Sequence, residues 1–436
     1  MVKAVKKRQV LKNSLALGGW RGWFIVVVGA MLYSYQFIIR LSISSMKDDI
    51  MMDLMIDVIT FGSIAGAYYI GYAFIQVPLG LMMDRLGPRR FMAAAGFFCG
   101  AGCFLFVSTK SPYVAGAARV LMGLGAANGF LGTLKLGMLW IPPHHMAKVV
   151  ALTMIFGTVG AALANAPLSL LVNAIGWEKA LQTIGMLGIF LGCLIYVFVR
   201  DGPPQKLSKS KRAAAVSPFL GLLQVLKSPQ AWLVSMIGML LFMPVVTLGD
   251  AWGKSFLIRV YGMEEAEALA IMTSMFLGIA VGGPFFMGVS DLILQRRLPL
   301  ILGTIGAIII QAIIILYTGL PMYFMYGLFF LIGFFYTAKG LCFTIIAECI
   351  PDRNAGGVAL AFTNSIVNIS GVFHPLIGAL LVKHWSGTML DGHPFYTEMD
   401  YRFALSIIPL MSFVALLLIF FLRETHPGRH VENRFN

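Results

Sequence analysis

Apolar runs of about twenty residues recur along nearly the whole chain, divided by short breaks that carry charge, proline or glycine. A helix needs about 20 mostly apolar residues to cross the hydrocarbon core of a bilayer, so each run predicts a membrane-spanning helix. Twelve are read: 22–46, 58–82, 90–109, 112–139, 147–173, 179–199, 231–257, 268–289, 298–317, 321–346, 356–382 and 403–422. One stretch breaks the pattern. Residues 200–230 contain DGPPQKLSKSKRAAAVSP, which is polar, basic and interrupted by prolines. It predicts a linker between a first unit, 1–199, and a second, 231–436, each with six spans and a tail.

The two units answer one another at a nearly constant offset. Gly71 matches Gly278, Asp84 matches Asp291 and Arg89-Arg90 match Arg296-Arg297, each 207 residues on. AKVVAL from Ala147 matches AGGVAL from Ala355, and Pro167 matches Pro375, at 208. Matches in order at one offset point to a duplicated six-helix unit. The expected fold is therefore an all-α membrane protein of twelve transmembrane helices in two pseudo-symmetric six-helix bundles. In such an architecture a small-molecule site forms near the bilayer midplane between the repeats, and alternating access is the expected mechanism.

Composition fits a chain that lives in lipid: 58% hydrophobic and 12% charged residues, with a mean hydropathy of +0.83. The net charge of +14 does not imply nucleic acid, because its distribution is topological. Lys and Arg gather in the amino tail, at Arg85, Arg89 and Arg90, at Lys148, from Arg200 to Lys227, at Arg296, Arg297 and Arg353, and in the carboxyl tail, while the alternate loops hold few. This positive-inside pattern places both termini in the cytoplasm. The basic amino tail lacks a small-residue cleavage site and reads as retained. Short outer loops favour a bacterial inner membrane. The five cysteines fall in or at the ends of spans with no metal-ligand spacing, so no metal or cofactor is expected. No nucleotide-binding G-x-x-x-x-G-K-[ST] run occurs, which excludes ATP-driven transport. A monomer is expected.

Two motifs carry more than topology. Between spans 2 and 3, GLMMDRLGPRR contributes Gly80, Asp84, Arg85, Gly87, Arg89 and Arg90; span 4 holds Arg119 in RVLMGLGAA. The first resembles the signature loop of the major facilitator superfamily, G-x-L-x-D-R-x-G-x-R-R, and the second its R-x-x-x-G-x-G motif. The resemblance covers essentially the whole chain and implies a secondary transporter. A carboxylate at a helix end can accept the free N–H groups of a neighbouring helix, so the loop is expected to latch the outward-facing state, and Arg119 to brace the first bundle. Only Gly288, Asp291 and Arg296-Arg297 survive of the loop in the second half, so a weaker latch is expected there, with Glu348 as a partner.

A narrower resemblance lies in GAYYIGYAFIQVPLGLMMDRLGPRR, which looks like the anion-cation symporter and organophosphate exchanger branches. Those branches carry an arginine in span 1, here Arg40, and a cation five residues before the tryptophan ending span 4, here Lys135 before Trp140. The aspartate that often precedes the first-span arginine is replaced by Ile39, and Val245–Gly249 offers no second arginine. Proton coupling at that place and a sugar-phosphate substrate are correspondingly not implied. The drug-exporter motif G-x-x-x-G-P-x-x-G-G is not matched in span 5.

Helical spacing supports a site independently. Tyr33, Gln36 and Arg40 share one face of span 1, since residues three, four and seven apart are neighbours. Asn128 and Lys135 share a face of span 4, whereas Arg119 points about 160° away. Tyr336 and Lys339 lie one turn apart in span 10, as do Asn364 and Asn368 in span 11; the asparagines either complete the site or bond across helices, and Lys339 either lines it or snorkels. Asp250 and Lys254 are expected to form a salt bridge within span 7 that rigidifies its outer end, the alternatives being direct substrate contact or a part in coupling. His374 titrates in the right range for coupling, though a lone histidine is more often structural.

The expected function is transport of a small organic anion, a carboxylate or phosphate ester, with uptake favoured and a proton, sodium ion or counter-substrate as partner. The argument is that Arg40, Lys135 and Lys339 have no anionic partners in the cavity, and such charges are costly unless compensated. A carrier of amino acids or short peptides, a non-transporting sensor, and a drug or siderophore exporter are the alternatives.

Overall fold

The computed structural model describes residues 19–142, 145–201, 218–317, 319–350, 356–390 and 393–426. Both tails, most of the linker, Arg353 and the side chains of Asp84 and Arg85 fall outside the described residues. Twelve helices are long and apolar enough to cross a membrane: Trp20–Ser45, Val58–Gly80, Pro88–Val107, Pro112–Trp140, Lys148–Ile175, Trp177–Phe198, Pro229–Tyr261, Glu265–Leu292, Arg297–Leu316, Met322–Cys349, Gly357–Lys383 and Glu398–Ile419. These are spans 1 to 12. Being even in number, they bring the two ends of the described chain to one face of the molecule, the terminal face; the other is the distal face.

Helix ends follow from local chemistry. Asp57 accepts the Thr60 N–H at 2.8 Å to start span 2. Pro88 and Pro112 open spans 3 and 4, where a missing N–H costs nothing. Capping boxes at Glu264 with Glu267 and at Thr397 with Asp400 start spans 8 and 12. Gly87, with φ of 81°, turns the chain between spans 2 and 3 in a conformation that disfavours any other residue. A two-residue strand pair, Met389–Leu390 with His393–Pro394, tops the distal loop between spans 11 and 12.

Helix pairing repeats in the two halves. Spans 3 and 6, 2 and 4, and 1 and 5 pack together, as do 9 and 12, 8 and 10, and 7 and 11. The repeated glycines explain the match. Gly71 of span 2 lies against the Val120 carbonyl of span 4, and Gly278 of span 8 lies likewise against the Phe330 carbonyl of span 10; a side chain at either would collide with backbone.

Between the halves, span 1 meets span 7, span 2 lies along span 11 and span 5 along span 8. Gly62, Gly66 and Gly378 let spans 2 and 11 touch backbone to backbone: a Cβ at Gly62 would sit 2.6 Å from the His374 carbonyl oxygen, and one at Gly378 the same distance from that of Val58. Asn165 bonds Thr273 at 3.0 Å and Ser169 bonds Glu265 at 2.7 Å across spans 5 and 8. Lys47, just past span 1, bonds Ser255 at 3.1 Å and covers the Trp252 ring at 4.4 Å. All of these contacts lie toward the distal face, which they seal.

Candidate functional site

Several spans lose regular α-helix at membrane depth, where irregular backbone persists only against protein or a cavity. Span 4 breaks at Ala127 and Asn128, span 10 tightens to a 3₁₀ turn at Thr337–Lys339, and span 11 does so at Ile369–Val372. Span 7 passes from α-helix (Pro229–Pro244) through a π-helical stretch (Val245–Trp252) before resuming at Gly253. It is also the most enclosed span, with 78% of its apolar core buried. Pi-helical turns concentrate at functional sites.

Asp250 sits in that stretch, 2% exposed. Its Oδ2 lies 3.4 Å from the Arg40 Nε of span 1 and accepts a hydrogen bond from the Tyr69 hydroxyl of span 2. One carboxylate of the second half is thus held by a cation and a phenol of the first. The expected pairing with Lys254 does not occur: Lys254 Nζ reaches Glu265 at 3.2 Å and the Ser45 carbonyl at 3.3 Å. The reason is geometric. A π-helix closes i to i+5, so residues four apart no longer stack on one face. Arg40 also departs from the expectation, since it has an anionic partner. Its guanidinium lies 4.5 Å from the Phe37 ring centre.

Tyr33 is half-buried and meets Phe37 and Phe130 edge-on or tilted. Gln36 is buried beside Gly129 of span 4, its Oε1 without a hydrogen-bond partner. Asn128 turns its amide N–H groups back onto the Leu124 and Gly125 carbonyls at 3.3 and 3.1 Å, mending the break in span 4, and leaves its Oδ1 unpartnered. Tyr72 stands among Gln36, Gln76 and Asn364, joining spans 1, 2 and 11. Lys135 is half-buried in the second piece of span 4.

Lys339 does not snorkel. It is 9% exposed, with its Nζ 4.1 Å from the Phe242 ring centre, 4.7 Å from Tyr336 and 5.7 Å from Phe343. Phe242 and Tyr336 stack at 5.7 Å. Asn368 bonds neither a neighbouring helix nor a cation; its amide returns to the Asn364 carbonyl at 2.7 Å and side chain at 3.3 Å, which supports the 3₁₀ turn that follows. His374 is buried 5.9 Å from the Tyr69 ring, and neither ring nitrogen has a partner.

Arg119 donates to the Ile39 carbonyl at 3.0 Å and the Arg40 carbonyl at 3.5 Å, and lies 4.9 Å from the Tyr68 ring centre. It ties span 4 to the backbone that carries Arg40. At the terminal face, the Asp201 carboxylate accepts the Arg89 N–H at the start of span 3 at 3.0 Å. Glu424 does the same for Arg296 and Arg297 at the start of span 9, at 2.8 and 3.0 Å. Burial opposes the Glu424 charge, but N–H donors from Arg296, Arg297, His426 and Thr425 hold its carboxyl below the usual range. Arg296 further bridges Asp291 at 2.6 Å and Glu348 at 2.9 Å.

Sequence reasoning missed Tyr69, Asp201 and Glu424. Tyr69 carried a signal, as the second tyrosine of GAYYIGY, where a phenol at membrane depth needs a partner.

Similar proteins share this architecture. The sequence profile of the Major Facilitator Superfamily matches residues 23–358 and 255–435. A hexuronate transporter of Bacillus subtilis (strain 168) is 22% identical, covering 84% of this chain and 89% of the relative. A probable galactarate/D-glucarate transporter of the same organism is 24% identical over 83% and 86%. Among solved structures, a bacterial homologue of the human lysosomal transporter Spinster superposes with a TM-score of 0.74 at 16% identity, covering 93% and 97%. With twelve spans paired as two repeats and a profile match from end to end, the chain is a multi-pass membrane protein of the Major Facilitator Superfamily, a family of transporters rather than enzymes.

Proposed function

We propose that the chain takes up a small organic anion by alternating access, as a secondary transporter of a bacterial inner membrane with both termini cytoplasmic. Two six-helix halves rock about a central site in this reading. The observation that carries it is Arg40, a fixed guanidinium suited to carboxylates, buried at the seam and held there by a carboxylate of the opposite half. The anions named for the relatives, hexuronate and galactarate or glucarate, support the same substrate class.

The Arg40–Asp250–Tyr69 link supplies a cycle. With Asp250 charged, Arg40 is occupied and the distal seam stays shut. A proton on Asp250 dissolves the ion pair, frees Arg40 for the incoming carboxylate and releases span 1 from span 7. The substrate anion and the Asp250 carboxylate then alternate as partners of one cation.

The test is uptake into proteoliposomes under an imposed inward proton gradient. Labelled D-glucuronate or D-glucarate accumulates, whereas the neutral sugar glucose and the cation lysine do not. Binding without uptake would make the protein a sensor, and preferential uptake of glucose or lysine would overturn the anion assignment.

A further inference from the structure

Lys339 is, among the described residues, a buried ammonium of the central region that the cycle above leaves unused. Among the described residues its neighbours are the faces of Phe242, Tyr336 and Phe343, with no carboxylate and no hydrogen-bond acceptor. Ring faces attract a cation, but they supply neither a counter-charge nor a hydrogen-bond acceptor in place of its lost water. A structural lysine at this depth is expected to find an acidic partner, as Lys254 finds Glu265. Lys339 instead stands at a 3₁₀ turn that pushes it inward from span 10.

Lys339 lies in the same central region as Arg40, close enough for the two charges to repel one another, and Tyr336 feels the Arg40 charge as well. The stacked rings of Phe242 and Tyr336 form a floor beside Lys339. One turn from Arg40 in span 1, the Gln36 Oε1 is buried without a partner, an acceptor that calls for a hydroxyl donor.

We propose that Lys339 is a second anion subsite, so that the carried molecule is a hydroxylated dianion with one acidic group on Arg40 and the other on Lys339. This rests on the transport reading above and names its substrate class more closely. A carboxylate on Lys339 supplies the missing counter-charge while the aromatic floor excludes water. Lysine gives a point charge that tolerates several chain lengths, and Arg40 gives the fork that fixes orientation.

The experiment compares D-glucarate, a six-carbon dianion, with D-gluconate, its singly charged counterpart, by equilibrium binding to purified wild type, Lys339→Met and Lys339→Arg, with thermal melting as a fold check. Wild type should favour glucarate by tenfold or more, about the effect of one added charge-assisted hydrogen bond. Lys339→Met should lose that preference while its gluconate affinity stays within about twofold, and Lys339→Arg should retain it. Equal affinity of wild type for both acids overturns the second subsite and leaves the anion reading intact. Equal losses for both acids in a folded Lys339→Met show a merely structural lysine and also overturn it. Binding of neither acid to wild type removes the anion reading on which the proposal rests, and the proposal with it.

Discussion

Arg40 and Asp250 are both withdrawn from water, so removing either strands the other. Loss of one partner from a buried pair costs about 3–5 kcal/mol. Asp250→Asn and Arg40→Gln should each lower the melting temperature, and the double variant should melt above at least one single variant, as a double-mutant cycle by calorimetry can show. Lys254→Gln should be additive with Asp250→Asn to within about 0.5 kcal/mol, because Lys254 belongs to Glu265. Strong coupling of Asp250 with Lys254 would contradict the arrangement. This pairing was not legible from spacing, since four residues make one turn only in α-helix and Asp250 lies in a π-helical stretch. Charge bookkeeping offered the better signal: a carboxylate deep in span 7 needs a cation, and Arg40 lies at a comparable depth in span 1. Whether Lys339 lines the site or snorkels was likewise not legible from spacing, because it stands in a 3₁₀ turn rather than in regular α-helix.

At the scale of elements, the spans themselves were legible because hydropathy and length fix them; the largest corrections are at span 12, which starts at Glu398 rather than 403, and span 7, which runs on to Tyr261. Span 12 begins in polar residues that its capping box holds, and span 7 runs on to the left-handed turn at Gly262, neither of which an apolar window can see. The terminal-face carboxylates were half legible. A carboxylate at a helix start was expected from Asp84, whose side chain is outside the described residues; the same chemistry is seen at the starts of spans 3 and 9, where Asp201 and Glu424 reach over from the ends of spans 6 and 12. Glu424, its carboxyl held below the ordinary value, contributes stability that is present above that ordinary value and lost as pH falls through the lowered one. Glu424→Gln should therefore flatten the acid side of the stability profile measured by thermal melting. Within the Arg296 cluster, Glu348→Gln should cost about 1.5–3 kcal/mol, as a partly buried charged hydrogen bond does. Asp291→Asn, whose carboxylate is 69% exposed, should cost about 0–1 kcal/mol.

At the scale of the whole molecule, the duplicated architecture was readable from the offset between halves because the matched glycines mark close helix crossings, and those crossings recur in space. The seam between halves was not readable, since its partners lie far apart along the chain, 209 residues where Ser45 meets Lys254 and 108 where Asn165 meets Thr273, with no local pattern to announce either. The distal seal depends on backbone contact between spans 2 and 11. Gly62→Val should wedge it, because its Cβ would press on the His374 carbonyl, and a cysteine introduced at Ser255 should then react faster with a membrane-impermeant maleimide added on the distal side. Unchanged labelling would mean that the seam does not govern access.

The central claim is that Arg40 anchors an anion. It is tested most directly by equilibrium binding of D-glucarate to wild type, Arg40→Lys and Arg40→Gln, each checked by thermal melting. The account predicts a ten- to hundredfold loss for Arg40→Lys, the equivalent of about 1.5–3 kcal/mol for one charge-assisted hydrogen bond, and a larger loss for Arg40→Gln. A folded Arg40→Gln that binds D-glucarate as tightly as wild type would contradict it.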